Sequence, residues 1–421
     1  MKKVREQPDK PLAPCIVALK QLIEDKKHHL DIWIGFHQMF DEIPNKYPYT
    51  LNSVKTAKQV LSNWFCDCDV CRPIFLQIRD YKEMLKALNE IITTPPKYED
   101  NDLVAFPINA ILDWPMGTAS GYSMFLDENV NAKFGAILTA YGDFLKDENS
   151  NSKTVLIPHE GYLADPHPPD VMFYDLYKCP NKNGPHYGFK SFDEWFIREF
   201  NDVNHWRPVA DPLDDSVISS ACESEVYRIS YAKQNDTFWL KGQPYSLQDM
   251  LYDDELAPAF GHGLVYQAFL SASKFHRWNS PVNGKIKKVV EVPGYPYVES
   301  YYEGFANIPK ETGEPDPDPA ATDRSQAFIT SVATRALVFI DADDSNIGLM
   351  CFIAVGMSEV SSCSVHEKWK EGVHIKKGDE LGMFHFGGST HCLVFREGVK
   401  IVFSVKEKES VLINAKVGKA V

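Results

Sequence analysis

Three short segments in the second half of the chain contain the residue types that nucleophilic catalysis requires. A hydroxyl follows two glycines in Gly387-Gly388-Ser389-Thr390, an imidazole lies in Phe275-His276-Arg277, and a carboxylate lies in Ser220-Ala221-Cys222-Glu223-Ser224. A histidine base oriented by a carboxylate can activate a serine hydroxyl for attack on a carbonyl group. Such triads are defined by geometry and not by order along the chain. Each segment alone also fits an ordinary glycine turn, an exposed or core histidine, or a commonplace glutamate, so the residues alone leave both interpretations open.

A cysteine cluster at residues 66–71 offers a second kind of chemistry, because Cys66 is followed by Cys68 and Cys71 at Cys-x-x-Cys spacing. No second pair and no nearby histidine completes a four-ligand zinc site. The surrounding pattern is helical, whereas a redox motif accompanies a βαβ pattern. We therefore favour a structural role for this cluster and expect no metal.

Composition and charge narrow the classes of partner. The 421 residues include 44 Lys and Arg against 58 Asp and Glu, which gives a net charge of -14 and a pI of about 5.4. This balance argues against nucleic acid and anionic membrane surfaces as main partners. The length predicts about two or three domains.

The cellular compartment is predicted from targeting signals and cysteine usage. The basic start at residues 1–6 is not followed by the apolar core of a signal peptide. No stretch approaches the ~18 apolar residues of a membrane span. Nine cysteines in a chain of this length fit reduced thiols better than a disulfide framework. We expect a cytoplasmic protein without integral membrane association.

The first 165 residues have the apolar periodicity of a helical domain. The predicted helices cover residues 15–23, 32–40, 54–65, 81–92 and 132–145. A stretch rich in Pro, Asp and Asn over residues 158–185 predicts a long connection. Within a connecting segment at 166–207, Ser191 and Glu194 form a capping-box pattern that opens a short aromatic helix at 195–200.

Residues 208–421 instead show strand and turn patterns. Strands are predicted over 285–292 and 336–340, and a hairpin over 372–382. The stretch 312–319, rich in Pro and Asp, predicts a solvated surface loop, with an active-site lid as the alternative. The predicted fold class is α+β, a helical N-terminal domain followed by a β-rich domain.

From about residue 190 to its end the chain resembles the phosphatidylserine decarboxylase family. The resemblance depends on three ordered motifs: Phe275-His276-Arg277 before Ser280-Pro281-Val282-Asn283-Gly284, the segment from Val373 to Gly382, and Phe386-Gly387-Gly388-Ser389-Thr390. The last motif is similar to the Gly-Ser self-cleavage motif of that family, with one additional glycine. The similarity is closer still to a soluble fungal branch of the family that includes tryptophan decarboxylases, and there it extends through the helical N-terminal region.

The resemblance implies a self-processing enzyme with a pyruvoyl prosthetic group. The Ser389 hydroxyl attacks the carbonyl of Gly388, whose lack of a Cβ tolerates a strained backbone. Cleavage yields a β chain of residues 1–388 and an α chain of residues 389–421, which stay associated. Residue 389 becomes a pyruvoyl group, forms a Schiff base with the substrate amine and acts as electron sink, so no pyridoxal phosphate is expected. The resemblance assigns His276 as the base and Glu223 as the residue that orients or charge-balances it.

The chain departs from the family pattern at two positions near His276. Asn279 occupies the place of a second histidine, and Lys274 replaces a frequent acidic residue. Asn279 cannot act as a general base, so His385 or His391 is a candidate to compensate. The alternative to a self-processing enzyme is therefore a homologue that no longer cleaves itself and serves as a binding protein.

The substrate is expected to be a free amino acid. A chain without a membrane-anchoring segment disfavours phosphatidylserine, which stays as an alternative, and the resemblance favours an aromatic, tryptophan-like amino acid. Met357, Ser358 and His385 are the candidate substrate-binding residues. Aromatic side chains at residues 295, 297, 301, 302 and 305 either line such a pocket or pack within a loop.

Overall fold

The computed structural model describes residues 10–43, 78–98, 106–165, 171–231, 238–240, 243–245, 247–271, 274–300, 303, 324–359 and 362–421. Several sequence predictions lie outside these residues. They are the helix at 54–65, the cysteine cluster at 66–71, the loop at 312–319, and the aromatic residues 301, 302 and 305.

The first part of the chain is helical, as its periodicity predicts. Its helices are α1 (Pro14–Glu24), α2 (Leu30–Asp41), α3 (Tyr81–Ile91), α4 (Pro107–Gly117), α5 (Ala119–Phe125) and α6 (Glu128–Lys146). Capping side chains start several of them; for example, Asp80 accepts hydrogen bonds from the amides of Lys82 and Glu83 at the start of α3. The helices bury one apolar core that includes Phe36, Leu88 and Phe134.

Helices α4 and α5 were not predicted from the sequence. Every residue of α4 is buried, Asn109 and Asp113 included. A helix that is buried all round has no polar face, so it lacks the amphipathic period on which the prediction depends. Pro115 inside the same helix also weakens the helical pattern.

The connecting region is more ordered than its composition suggests. A 3₁₀ turn at Ser152–Val155 precedes it, and it contains a second such turn at Pro185–Gly188 and the short helices α7 (Phe173–Leu176), α8 (Phe192–Phe196) and α9 (Val203–Trp206). Leu163, Phe173 and Leu176 are buried in the helical core. The described part of residues 158–185 therefore packs on the helical core at these positions, whereas residues 180–183 are exposed.

The predicted cap of the aromatic helix is confirmed in one half. Ser191 Oγ accepts a hydrogen bond from the Glu194 amide at 3.1 Å. The Glu194 carboxylate accepts from the Lys190 amide at 2.6 Å, one residue before the position that a capping box requires. The helix then ends at Phe196, earlier than predicted, because the chain continues into a bridge that pairs Phe200 with Tyr177.

The second part of the chain is β-rich, so the α+β fold class is confirmed. Its strands in chain order are β1 (Val217–Ser219), β2 (Ser224–Tyr231), β3 (Phe238–Leu240), β4 (Gln243–Tyr245), β5 (Leu264–Leu270), β6 (Arg277–Asn279), β7 (Gly284–Val292), β8 (Arg335–Ala342), β9 (Leu349–Met357), β10 (Cys363–Val365), β11 (His374–Ile375), β12 (Glu380–Phe384), β13 (Gly388–Phe395), β14 (Ile401–Phe403), β15 (Ser410–Val411) and β16 (Lys416–Ala420). Two further helices, α10 (Leu247–Met250) and α11 (Gln326–Val332), accompany them.

The main sheet has eight antiparallel strands in the order β11-β7-β8-β9-β13-β5-β2-β15. Smaller sheets have the orders β1-β16-β14 and β10-β12-β6, and β3 pairs with β4. One face of the main sheet packs on the core that includes Trp278 and Phe384, and the other on the core that includes Phe260 and Phe328. The central strands are therefore buried on both faces.

The predicted hairpin at 372–382 is wrong. Strand β11 pairs with β7, whereas β12 pairs with β6 and β10. Between them the buried amine of Lys377 donates to the carbonyls of Asp214 and Val217 at 2.9 and 2.8 Å. These hydrogen bonds hold Lys377 against the β1 region, and β11 and β12 on either side of it lie in different sheets. The local sequence does not indicate this separation.

A glycine in β12 makes the packing of this layer testable. A Cβ at Gly382 would lie 2.1 Å from the Ser364 carbonyl oxygen and 2.7 Å from the Trp278 ring. We expect Gly382→Ala to lower the free energy of unfolding by about 1–3 kcal/mol. Gly135→Ala in α6, where a Cβ meets nothing within 4 Å, should instead raise it by about 0.5–1 kcal/mol. Denaturant unfolding measures both, and equal stability of Gly382→Ala and wild type would contradict the packing.

Candidate active site

Ser389 lies near the start of β13, in the middle of the main sheet. Its Cα is paired with Gly356 of β9 on one side and with Leu270 of β5 on the other. The side chain is fully buried, and its hydroxyl has no hydrogen-bond partner. A buried hydroxyl without a partner is uncommon and indicates either a reactive group or an unfilled contact.

The backbone that enters β13 is unusual at the preceding glycines. Gly387 has a φ of 138°, which a residue with a side chain rarely adopts. Gly388 then pairs with Met357, the last residue of β9. Gly387 therefore allows the chain to enter the central strand with a positive φ, and Gly388 leaves the carbonyl before Ser389 without a Cβ on its own residue.

His276 is buried beside the same turn. Its backbone carbonyl accepts from the Phe384 amide at 2.9 Å, four residues before Gly388. Its ring stacks on Phe196 with centroids 4.2 Å apart, and Phe196 contacts Phe386 at 5.6 Å. An aromatic layer thus connects the imidazole to the Gly387–Ser389 segment.

The hydrogen bonding of His276 sets its tautomer. Nδ1 lies 3.0 Å from the Lys274 carbonyl, so Nδ1 carries the proton and donates. Nε2 is then an acceptor, and it has no partner. Burial lowers the pKa of His276 to about 3, with a smaller contribution from Arg198 in the same direction, which keeps the ring neutral near pH 7.

Glu223 does not contact His276 in this structure. Its buried carboxylate forms an ion pair with Arg207, whose guanidinium lies 4.9 Å from the Phe200 ring centroid. The loop that carries Glu223 is nevertheless attached to β6, because the Asn279 amide donates to the Ala221 carbonyl at 2.8 Å. The structure brings Glu223 close to the strand that follows His276 but not to the imidazole.

Asn279, which occupies the position of the family's second histidine, has structural contacts. Its side-chain amide donates to Asn414 Oδ1 at 3.0 Å, and Asn414 donates to the Arg207 carbonyl at 2.9 Å. These bonds connect β6 to the segment before β16 and to the partner of Glu223.

The two other candidate histidines are in different environments. His385 is partly exposed, and its Nδ1 lies 2.8 Å from Asp193 of α8. His391 is fully buried and lies on the same face of β13 as Ser389, two residues away. Its ring is 6.0 Å from that of Phe352. Burial lowers the pKa of His391 to about 3.

The candidate substrate-binding residues Met357 and Ser358 lie where β9 ends. Met357 is buried and is paired with Gly388. Ser358 has a φ of 55° and donates from Oγ to Asn109 Oδ1 of α4 at 3.0 Å. The next residue, Glu359, is buried, and burial raises its pKa to about 7. Sequence reasoning missed Glu359; the signal was an acidic residue two positions after the end of an otherwise apolar strand.

The site therefore contains a buried hydroxyl after a glycine pair and a neutral imidazole with a free acceptor nitrogen. These are the components of a base-assisted attack by a serine on an adjacent backbone carbonyl. Ser389 Oγ and His276 Nε2 are not hydrogen-bonded to each other. Hydrogen bonds between catalytic groups often form only as the reaction proceeds.

Comparison with known proteins gives the same assignment for most of the chain. A family model described as phosphatidylserine decarboxylase matches residues 192–419, and a second model of corresponding description matches residues 70–165. The L-tryptophan decarboxylase of Psilocybe cubensis is 36% identical over 336 residues, which cover 76% of this chain and 73% of the relative. The decarboxylase iboD of Amanita muscaria is 38% identical over 341 residues, 75% of this chain and 93% of the relative.

A bacterial relative is more distant. The phosphatidylserine decarboxylase proenzyme of Clostridium botulinum is 24% identical over 322 residues, 76% of this chain and 92% of the relative. Among the described residues of the present chain, no helix is both long and apolar enough to cross a bilayer.

The buried imidazole of His391 predicts a measurable acid sensitivity. Because its folded pKa of about 3 lies below the usual 6.5, the unfolded chain binds an additional proton between these pH values, and stability falls as the pH drops. His391→Leu should therefore reduce the loss of unfolding free energy between pH 7 and pH 5 by up to about 2 kcal/mol. Denaturant titrations at both pH values measure this. His205→Gln, at an exposed site, is the control, and an unchanged pH dependence in His391→Leu would contradict the argument.

Proposed function

The chain belongs to the phosphatidylserine decarboxylase family and is a carboxy-lyase, and from this premise we propose that it decarboxylates a free aromatic amino acid of the tryptophan type after cleaving itself between Gly388 and Ser389. The observation that carries the proposal is the buried Ser389 hydroxyl, which has no partner and directly follows a glycine pair with a positive φ at Gly387. The family and the relatives named above supply the reaction class.

The proposed cleavage uses only groups of the chain and water. Ser389 Oγ loses its proton and bonds to the carbonyl carbon of Gly388, the Gly388–Ser389 C–N bond breaks, and the freed nitrogen takes up a proton. Loss of the α-hydrogen of residue 389 then breaks its Cβ–Oγ bond and releases the Gly388 carboxylate. The elimination leaves a Cα=Cβ double bond, and a proton added at Cβ converts this enamine into an imine. Water hydrolyses the imine to a ketone and ammonia, which leaves a pyruvoyl group at residue 389.

His276 is the proposed base for the first proton. Its Nδ1–H donates to the Lys274 carbonyl at 3.0 Å, which leaves the unpaired Nε2 as acceptor. Proton transfer requires Oγ and Nε2 to come together, because neither atom has a hydrogen-bond partner in the structure. Glu223 is a positioning residue in this proposal: with Arg207 it holds the loop that is bonded to β6.

The site fits a pyruvoyl group at residue 389. A ketone at that position withdraws electrons from the substrate α-carbon while CO2 leaves, the role of pyridoxal phosphate in other decarboxylases. The residues around it exclude water, since Ser389 and His276 are fully buried, and a dry site strengthens electrostatic interactions. Met357, Ser358 and His385 are the proposed substrate contacts, with His385 oriented by Asp193.

The substrate class is inferred from relatives. Two proteins named L-tryptophan decarboxylase, from Psilocybe cubensis and Psilocybe cyanescens, are 36% and 35% identical. Phosphatidylserine is the second candidate, because proteins named phosphatidylserine decarboxylase proenzyme are 24–29% identical over about half or more of this chain. CO2 release from tryptophan, tyrosine and phenylalanine, compared with release from phosphatidylserine vesicles, separates the two. Activity should survive removal of pyridoxal phosphate and be lost with phenylhydrazine.

Ser389→Ala tests the cleavage. We expect wild-type protein to give a fragment of residues 389–421 that begins with a pyruvoyl group, whereas Ser389→Ala stays one chain and releases no CO2, because the nucleophilic oxygen is gone. Intact-mass measurement under denaturing conditions distinguishes these states. Ser410→Ala, an exposed strand serine in the same fragment, should cleave normally and make the fragment lighter by one oxygen.

Two results would overturn this scheme. An active, uncleaved Ser389→Ala protein would exclude the pyruvoyl mechanism. A wild-type chain that remains whole and inactive would favour the processing-deficient binding protein, with Asn279→His as the variant that tests for the missing step.

His276→Gln tests the base. Glutamine keeps a polar side chain of similar length but cannot accept the proton from Ser389, so we expect cleavage to slow by about 10²–10⁴-fold. The rate is followed as the disappearance of the intact chain. His205→Gln should cleave at the wild-type rate, and equally fast cleavage of His276→Gln would remove His276 from this role.

A further inference from the structure

Glu359 is a buried carboxylate at the junction of the helical and β-rich parts, close to the scissile segment. It lies two residues after Met357, which is paired with Gly388. The left-handed turn at Ser358, with a φ of 55°, is held by a hydrogen bond from its amide to the Pro296 carbonyl at 2.9 Å. Strained backbone of this kind is concentrated at functional sites.

The turn directs Glu359 to the start of α4. Its Oε1 accepts hydrogen bonds from the amides of Ile108 and Asn109 at 2.6 and 3.2 Å. These amides have no partner within a helix, so one carboxylate oxygen acts as a cap. Capping requires only that one oxygen.

Three polar atoms of this region are buried and have no partner: Glu359 Oε2 and the hydroxyls of Tyr141 and Tyr297. The two tyrosines are each about 1% exposed. Burial raises the pKa of both tyrosines well above the usual 10, and the charge of Glu359 adds to the effect. Tyr297 directly follows Pro296, whose carbonyl accepts from the Ser358 amide, and Tyr141 shares its ring neighbour Phe386 with Phe106 at the start of α4, so both tyrosines belong to the layer around the Glu359 turn. Unsatisfied buried polar atoms are few in folded proteins and require an explanation.

Aromatic rings pack against both tyrosines. Tyr297 meets Phe134 edge to face at 5.6 Å between centroids. Tyr141 meets Phe386 edge to face at 6.0 Å, and Phe106 contacts Phe386 at 6.0 Å. Because Phe386 precedes Gly388 by two residues, this aromatic cluster borders the reactive segment from its helical side.

We propose that Glu359, Tyr141 and Tyr297 form the subsite for the substrate side chain, in which Glu359 Oε2 accepts a hydrogen bond from a ring N–H donor such as that of an indole. The inference rests on the proposed function and makes it more specific, because it selects aromatic amino acids that carry a side-chain donor over those that do not. The rings supply stacking surface, and the unpaired acceptor supplies discrimination, because a site built to bind a donor rejects a substrate that lacks it.

Glu359→Gln separates this role from capping. Glutamine keeps an oxygen for the Ile108 and Asn109 amides but replaces Oε2 with an NH2 group, which donates and so opposes a ring N–H. On fully cleaved enzyme we expect kcat/KM for tryptophan to fall about tenfold or more, while that for phenylalanine changes less than about threefold. Glu291→Gln, at an exposed position of β7, is the matched control and should change neither value.

Wild-type enzyme provides a test that needs no substitution in the site. Its kcat/KM for tryptophan should exceed that for 1-methyltryptophan by about tenfold or more. Tyr297→Phe should lower the ratio of kcat/KM for tryptophan to kcat/KM for phenylalanine. If Glu359→Gln does not fold or does not cleave, these two measurements decide whether the subsite exists.

The outcomes distinguish this inference from the proposed function. If amino acids are decarboxylated but Glu359→Gln lowers kcat/KM equally for tryptophan and phenylalanine, Glu359 is only a cap and the subsite is wrong. A wild-type enzyme that does not distinguish tryptophan from 1-methyltryptophan overturns the subsite as well. Release of CO2 from phosphatidylserine vesicles and from no free amino acid overturns the proposed function, and the subsite with it.

Discussion

The pairing of β13 with β9 and β5 is the constraint on which the site depends. From Ser389 to Phe395 every residue of β13 has a partner on both sides, so the strand cannot shift without breaking two ladders at once. This pairing holds Ser389 in a dry interior, where its hydroxyl has no competing partner. The strained entry at Gly387 is tolerated because the strand beyond it is held so firmly.

Burial on both faces of the central strands explains the electrostatics of the site. His276 and His391 have lowered pKa values, chiefly because burial disfavours the charged ring, while burial raises the pKa of Glu359. The same dry interior thus favours a neutral imidazole near Ser389 and a carboxylate whose proton is held more tightly.

The helical part of the chain completes the environment of the reactive segment. Phe386 packs on Phe106, Tyr141, Phe192 and Phe196, which lie in or beside α4, α6 and α8. Glu359 joins the β-rich part to the N-terminus of α4. The helical part therefore supplies contacts that bury Phe386 and Glu359 next to the Gly387–Ser389 segment.

The sequence by itself determined the features that depend on residues close together in the chain. Helical periodicity predicted α1, α2, α3 and most of α6, strand patterns predicted β7 and β8, and the Gly-Gly-Ser motif with its companion segments identified the family. Only the tertiary structure decided the partners of these residues. Glu223 pairs with Arg207, the two halves of the predicted hairpin at 372–382 enter different sheets, and Glu359 meets amides about 250 positions earlier. The physical reason is that hydrogen-bond partners and burial depend on chain segments far apart in sequence, which no local pattern encodes.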